Sequence, residues 1–133
     1  MKYLNNLLLK CFLHKLPPEL AHNITLKLIK TGLFLNNSID SYKNLNIKLG
    51  NIDFKHPIGL AAGFDKDGEV FHQIDKLGLS HTEIGTVTPK FQIGNKKPRV
   101  FRLNKDNAII NSLGFPSKGE KYLTKRLEKY HSN

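Results

Sequence analysis

A lysine that follows a run of small residues is the feature of this sequence best suited to chemistry. Residues 57–69, PIGLAAGFDKDGE, lead from a short apolar segment through three small residues to Lys66. Small side chains at the end of a buried strand let a flat ligand approach the backbone, and glycine does so without a steric cost. The positive charge of Lys66 would then lie beside that ligand. The alternative is an ordinary strand-to-helix turn, in which Asp65 or Asp67 caps the next helix.

Two further segments end predicted strands with small or polar residues, at residues 85–88 (GTVT) and residues 111–115 (NSLGF). Ligands in parallel α/β folds lie at the carboxyl ends of strands, so three such segments indicate one shared site. The sequence contains no glycine-rich dinucleotide motif and no P-loop motif. A lysine near an amide and a hydroxyl can stabilise negative charge that arrives on a flat polar ring. A reduced flavin presents such a ring.

The composition is that of a basic globular protein. The chain has 133 residues, 39% of them hydrophobic, and a formal net charge of +10, which fits one domain or one domain with a small appendage. This charge favours nucleic acid, an anionic membrane surface or acidic ligands as partners. A single cysteine, Cys11, excludes an intramolecular disulfide, and the six scattered histidines form neither a zinc motif nor a Ser/His/Asp set. No run reaches the roughly 20 apolar residues of a membrane-spanning helix.

The first 44 residues are predicted to form two basic amphipathic helices. Apolar residues recur at helical spacing over residues 4–12 and residues 18–31, and Gly32 is a typical C-terminal stop. Residues 1–44 hold six lysines against two acidic residues, and residues 36–44 are polar and predicted to be a linker. Such helices either pack onto a neighbouring domain or lie in a membrane interface. Both uses remain open from the residues alone.

The remaining residues, 45–133, have the pattern of an α/β domain. Alternating apolar residues on both sides of Gly50-Asn51 predict a hairpin with a two-residue turn. A strand, a helix and a strand then follow at the short spacing of a parallel unit, and a second strand pair and a last helix complete the chain. The predicted elements after the first hairpin are a strand and turn over residues 57–65, a helix over about 68–77, a strand over 82–87, paired strands over 99–103 and 108–110, and a helix over 117–131.

Three segments in this order resemble the N-terminal part of the quinone-linked, class 2 dihydroorotate dehydrogenases. They are GLAAGFDKDGE (residues 59–69), EIGTVTPKFQIGNKKPRVFRL (83–103) and INSLGF (110–115). The resemblance covers about residues 52–130, and the two leading helices are similar to the family's membrane-associated extension. It implies the N-terminal part of a (β/α)8 TIM barrel preceded by a small two-helix amphipathic domain. Residues 1–44 would be the helical extension and linker, and residues 45–133 an incomplete FMN-binding barrel.

The resemblance also implies site residues, without a metal. Flavin contacts fall at Ala62, Gly63, Phe64, Asp65, Lys66 and Thr86. Substrate contacts fall at Lys66 and at Asn111, Ser112, Leu113, Gly114 and Phe115. Positions that line the quinone tunnel are His22 and Arg102. Two residues depart from the family pattern, which usually has arginine or another long residue at Ser112 and asparagine at Pro116.

The implied activity is the oxidation of dihydroorotate to orotate through FMN, with electrons passed to ubiquinone, in de novo pyrimidine (UMP) biosynthesis. The implied location is peripheral, on the cytoplasmic side of the inner membrane, through the N-terminal helices. In the family the catalytic base is a serine of a later barrel loop, so none of the catalytic residues is expected before residue 133. A complete barrel takes about 250 residues. We therefore expect this chain to be a fragment of such an enzyme that neither holds FMN tightly nor turns over substrate alone.

Two readings from other classes compete with this one. The first is a small basic nucleic-acid-binding protein that uses Lys96, Lys97, Arg99, Arg102 and the lysines of the last helix. These basic residues do not alternate with aromatic residues as a stacking platform requires, so no nucleic-acid partner is expected. The second is a peripheral membrane module made of the first two helices alone.

Overall fold

The computed structural model describes residues 11–32 and 44–131. Residues 11–15 are helical, and helix α1 spans Pro18–Thr31. Proline suits the first turn of a helix because its missing N–H would have no partner there. Gly32 ends α1 with φ 71°, and its N–H donates to Ile29 O. The predicted bounds of α1 are confirmed, whereas most of the predicted helix over residues 4–12 and of the linker over residues 36–44 lies outside the described residues.

Two antiparallel hairpins form where alternation predicted them. Strand β1 (Ile47–Leu49) pairs with β2 (Ile52–Phe54), and Gly50-Asn51 is the two-residue turn between them. Strand β3 (Val100–Leu103) pairs with β4 (Ala108–Asn111). The second register sets Val100 opposite Asn111 and Leu103 opposite Ala108. Asn111 is therefore held at the end of a paired strand.

The segments predicted as two parallel strands, residues 57–65 and 82–87, do lie side by side, but they are not regular strands. They meet at a single parallel bridge between Leu60 and Thr82. Farther along, Gly63 N–H donates to Gly85 O at 2.8 Å. Gly63 has φ 104° and Gly85 has φ 144°, outside the region that extended strands occupy. The hydrogen bond between the two glycines thus keeps the two segments adjacent, while their backbone conformations end the parallel pairing.

The helix predicted over residues 68–77 is wrong. Two short 3-10 turns, Phe71–Gln73 and Asp75–Leu77, stand in its place, and Gly78 ends the second in the left-handed conformation. Gly68 has φ 65° and Val70 has φ −136°, so no helix can run through them. The buried carboxylate of Asp65 accepts the N–H groups of Glu69 and Val70 instead, at 2.6 and 2.7 Å.

The apolar core joins α1 to the segment that carries Lys66. Its buried residues are Ile29, Val70 and Ile74, and the partly buried residues packed against them are Leu26, Leu60, Phe64, Leu77 and Leu79. Burial of this apolar surface is the main favourable contribution to folding. Helix α1 thus packs against residues 60–79, and packing was one of the two uses that its sequence allowed.

Helix α2 spans Glu120–His131 and begins three residues later than predicted. The earlier residues pair elsewhere, because Ser117 forms an antiparallel bridge with Gln92. In α2, Tyr122, Leu123 and Leu127 are partly buried. Tyr130 is 37% exposed and stacks on the ring of His72.

Glu69 is a buried carboxylate on which three parts of the chain converge. It accepts hydrogen bonds from Lys30 of α1, from Lys118, and from Tyr122 Oη of α2 at 2.7 Å. Burial raises the pKa of Glu69, but the hydrogen bonds from Lys118, Lys30 and Tyr122 outweigh this and lower the pKa to about 2. The carboxylate therefore stays charged and holds both helices against residues 65–70.

The free energy of unfolding of the chain is expected to depend on pH through the titration of Glu69. Its pKa of about 2 when folded lies below the ordinary 4.5, so its stabilisation is present above the ordinary value and is lost as the pH falls toward 2. We expect the free energy of unfolding in urea to drop by about 2 to 3 kcal/mol over that range because of this group. Glu69→Gln removes the titration and should flatten the pH profile by the same amount.

Glu83→Gln is the matched control, because Glu83 is exposed. Its unfolding free energy should follow that of the unsubstituted chain at every pH. Equal flattening of the pH profile in the two variants would contradict the role of Glu69.

Candidate functional site

Two adjoining cavities both have Lys66 in their lining. The strand-end cavity has a volume of about 540 Å³ and is lined by Ala62, Gly63, Lys66, Gly85, Thr86 and residues 111–116. The helix cavity, about 660 Å³, lies between α1 and the β3–β4 hairpin. Both volumes fall within the usual range for small-molecule sites. The two linings share Gly63, Lys66, Asn111, Leu113 and Pro116.

The structure brings most of the predicted flavin and substrate residues to one place. Ala62, Gly63, Lys66, Thr86 and all five residues of the loop at 111–115 line the strand-end cavity. Phe64 and Asp65 do not, and instead belong to the lining of the helix cavity. Asp65 is fully buried, and both its carboxylate oxygens accept backbone N–H groups. Its evident role is to fix the backbone that carries Lys66.

Lys66 has donors left for a ligand. Its ammonium donates to Gly63 O at 2.5 Å, and an ammonium group has three N–H donors. Burial lowers the pKa of Lys66, while the negative charges of Asp67 and Glu19 partly offset that effect. Negative charge on a ligand would favour the charged ammonium further. The site thus suits a ligand that is anionic or that gains negative charge.

A second loop, residues 91–95, supports the loop at residues 111–115 from outside. Gln92 Nε2 donates to Gly114 O at 2.9 Å, and Asn95 Nδ2 donates to Ser112 O at 2.8 Å. Asn95 N–H also donates to Leu113 O at 2.9 Å. The sequence showed this segment only as a loop between two prolines. The sequence feature that could have indicated this role is the pair of side-chain amides, Gln92 and Asn95, beside Gly94. Such amides often donate to the carbonyls of irregular backbone.

Arg99 links that support to α1. Its side chain is 6% exposed and donates to the carboxylate of Glu19, at 2.6 Å from Nη2 and 3.2 Å from Nε. Nη1 donates to Ile93 O at 2.7 Å and Asn95 O at 3.0 Å. The hydrogen bond from Arg99 lowers the pKa of Glu19 against the opposing effect of burial. Arg99 was a candidate nucleic-acid contact, and its burial against Glu19 removes it from that role.

The predicted quinone pair lies on the helix cavity. His22 Nε2 donates to Phe64 O at 2.7 Å, and the two rings meet edge to face at 5.2 Å. Arg102 donates to the carbonyls of His14 and Leu16, at 3.1 and 2.6 Å. These carbonyls lie at the end of the helical residues 11–15, where cations are favourable. Both side chains line the helix cavity.

Comparison with known proteins decides the family. The family model described as dihydroorotate dehydrogenase matches residues 44–133. The chain belongs to the dihydroorotate dehydrogenase family. It is 49% identical over 115 residues to a dihydroorotate dehydrogenase (quinone) of Bartonella tribocorum, a match that covers 86% of this chain and 32% of that relative. It is 42% identical over 123 residues to the one of Halorhodospira halophila, with 91% and 36% covered.

Solved structures of the same family agree. The chain superimposes on the dihydroorotate dehydrogenase of Eimeria tenella, solved in complex with ferulenol, with a TM-score of 0.80 and 44% identity. That match covers 85% of this chain and 30% of the Eimeria chain. The chain thus spans about a third of the length of the dihydroorotate dehydrogenases that it matches. None of these relatives is named for nucleic-acid binding.

A metal-binding cluster and a membrane-spanning helix are both absent from residues 11–32 and 44–131. No group of three or more His, Cys, Asp or Glu side chains there is placed to hold a metal ion. No helix in the same residues is long and apolar enough to cross a membrane.

The loop at residues 111–115 should be sensitive to a single methyl group. Gly114 has φ +68°, and a Cβ there would lie 2.7 Å from Asn95 Cγ. Gly114→Ala should lower the free energy of unfolding by about 2 to 4 kcal/mol, because it strains the backbone and displaces the Asn95 amide. Gly50→Ala, with φ +60° and nothing within 4 Å, should cost only about 1 kcal/mol. Equal losses in urea unfolding would contradict a close-packed loop.

Proposed function

We propose that this chain is the N-terminal part of a quinone-dependent dihydroorotate dehydrogenase, which oxidises dihydroorotate to orotate in de novo pyrimidine biosynthesis. The observation that carries the proposal is the convergence of Lys66, Thr86 and Asn111 on one cavity, in a chain 49% identical to a relative of that name. On this proposal the contact between Leu60 and Thr82 is the first parallel pair of a (β/α)8 barrel. Helix α1 and the helical residues before it form the family's N-terminal extension.

The residues that line the strand-end cavity suit the flavin ring of FMN. Gly63 has no heavy atom within 4 Å of the place where a Cβ would lie, so a flat ring can approach its backbone. The Lys66 ammonium lies beside that backbone, with the Thr86 side chain on the same cavity. The proposed flavin contacts are thus Ala62, Gly63, Lys66 and Thr86, with Phe64 and Asp65 behind them. The chemistry that bound FMN supplies is hydride acceptance and electron transfer to a quinone.

The residues of this chain would orient the reactants and stabilise charge. The Lys66 ammonium would stabilise negative charge on the flavin and on the substrate carboxylate. Asn111, at the end of β4, can both donate to and accept from a dihydropyrimidine ring through its amide. The loop that follows, through Phe115, would close over the substrate, supported by Gln92 and Asn95.

The helix cavity is the proposed path of ubiquinone. It lies between α1 and the β3–β4 hairpin, with His22 and Arg102 in its lining, and it adjoins the strand-end cavity at Lys66. A quinone there would reach a flavin in the strand-end cavity where the two linings share Gly63 and Lys66. The exposed apolar side chains of Phe12 and Leu20 support a peripheral contact with the inner membrane, on its cytoplasmic side.

A chimera tests the activity. Residues 1–133 of this chain would replace the matching N-terminal third of the Bartonella tribocorum relative. The purified chimera should contain stoichiometric FMN and reduce a quinone with dihydroorotate. Lys66→Met in the chimera should lower kcat by about 100-fold or more, because charge developing on the flavin loses its stabilisation. The 133-residue chain alone should neither retain FMN nor turn over.

The matched control is Lys48→Met, which removes an exposed lysine of β1 and should leave kcat unchanged. A colourless or inactive chimera with Lys66 intact would contradict the proposed function. Equal activity of the two methionine variants would contradict only the role of Lys66.

Membrane contact has its own test in the full 133-residue chain. Phe12 is 57% exposed next to the helix end that Arg102 caps. Phe12→Asp should lower co-sedimentation with anionic vesicles by about tenfold, because it removes an apolar contact and adds a negative charge. Leu49→Asp, at an even more exposed position of β1, is the control and should pellet like the unsubstituted chain. Equal losses, or no binding by the unsubstituted chain, would contradict the membrane contact.

A further inference from the structure

One buried guanidinium contacts both the N-terminal helix and the two loops beside the strand-end cavity. Arg99 directs Nε and Nη2 at the carboxylate of Glu19 in α1. It directs Nη1 at three backbone carbonyls, those of Ile93, Asn95 and Leu113, at 2.7, 3.0 and 3.4 Å. The planar group has its donors in a rigid fork, so the two sets of partners cannot move independently.

Glu19 sets the position of this fork. Glu19 is the second residue of α1. It also pairs with Lys97, whose side chain is exposed and whose Nζ lies 3.5 Å from Glu19 Oε1. Loss of the Glu19 charge would leave the Arg99 charge buried without its carboxylate, which is strongly unfavourable. Arg99 would then turn toward solvent and leave the carbonyls of the loops.

The packing around Arg99 leaves little room for the loops to move separately. A Cβ at Gly94 would lie 2.6 Å from Arg99 Nη1 and 2.3 Å from Leu113 O. The backbone N–H of Ser112 donates to Arg99 O at 2.9 Å. Side chain and main chain of one residue therefore both hold the segment that lines the strand-end cavity.

We infer that Arg99 is a positioning residue that couples α1 to the loop at residues 111–115 through the carboxylate of Glu19. Helix α1 lines the helix cavity and the loop lines the strand-end cavity, so a ligand that shifts α1 also shifts the loop. Reciprocally, a ligand that orders the loop favours one position of α1. The reading of these cavities as quinone and substrate sites rests on the proposed function, whereas the coupling rests on the contacts of Arg99.

Amide hydrogen exchange in the 133-residue chain tests the coupling without flavin or turnover. Two reporter amides lie in the coupled loops, Ser112 N–H on Arg99 O and Asn95 N–H on Leu113 O. Glu19→Gln should speed exchange at both by about tenfold, since loss of Arg99 frees the loop locally. Leu60 N–H, bonded to His81 O, is the reference amide and should change by less than about twofold.

The control variant is Lys97→Gln, which removes the other cation at Glu19 but none of the bonds to the loops. It should leave both reporter amides within about twofold of the unsubstituted chain. Unchanged reporter amides in Glu19→Gln, or equal acceleration at reporter and reference amides, would overturn the coupling. Equal acceleration would mean that Glu19 serves only global stability.

Arg99→Lys keeps the test decisive if Glu19→Gln does not fold. Lysine retains a charge for Glu19 but cannot reach the carbonyls of both loops. Exchange at the two reporter amides should rise by about tenfold, while Ala21 N–H, bonded to Pro17 O in α1, stays protected. Unchanged reporter amides in this variant would also overturn the inference. An inactive chimera with these exchange results would contradict the proposed function and leave the coupling in place.

Discussion

The buried carboxylate of Glu69 is the constraint on which the described structure depends. A charge out of water must be paired, because its desolvation costs several kcal/mol when it is not compensated. Lys30, Lys118 and Tyr122 supply the pairing from α1, from the approach to α2 and from α2 itself. Asp65, four residues before Glu69, is also buried, and its carboxylate accepts the backbone N–H of Glu69. The backbone between the two acids cannot rearrange, and it carries Lys66 to the point where the two cavities adjoin.

Arg99 is a second buried charge with a paired partner, the carboxylate of Glu19. The apolar core around Ile29, Val70 and Ile74 is small, so the relative positions of α1 and the loops depend heavily on the hydrogen bonds of charged side chains. Such networks fix geometry more sharply than apolar packing, since each donor has one favourable direction. That is useful at a site where a ring must lie close to a glycine backbone and a lysine.

Local sequence chemistry predicted much of the fold. The Gly50-Asn51 turn, the proline start and glycine stop of α1, and the pairing of β3 with β4 follow from residue types a few positions apart. The order of three strand-end segments also predicted that Lys66, Thr86 and Asn111 converge, and they share one cavity. The helix expected at residues 68–77 did not form because Gly68 has a left-handed backbone and the carboxylate of Asp65 holds Glu69 and Val70 in a non-helical turn.

The sequence by itself thus determined the family, the hairpins, α1 and most residues of the strand-end cavity. Only the tertiary structure decided which charged residues hold that cavity in place. Glu19 and Arg99 are eighty positions apart, and Glu69 and Lys118 are forty-nine apart. Periodicity and motifs report neighbours within a turn or a strand, whereas a buried charge selects its partner by proximity in the folded chain. For that reason the sequence did not predict that Asp65 anchors the backbone of Glu69 and Val70, or that Arg99 is buried against Glu19.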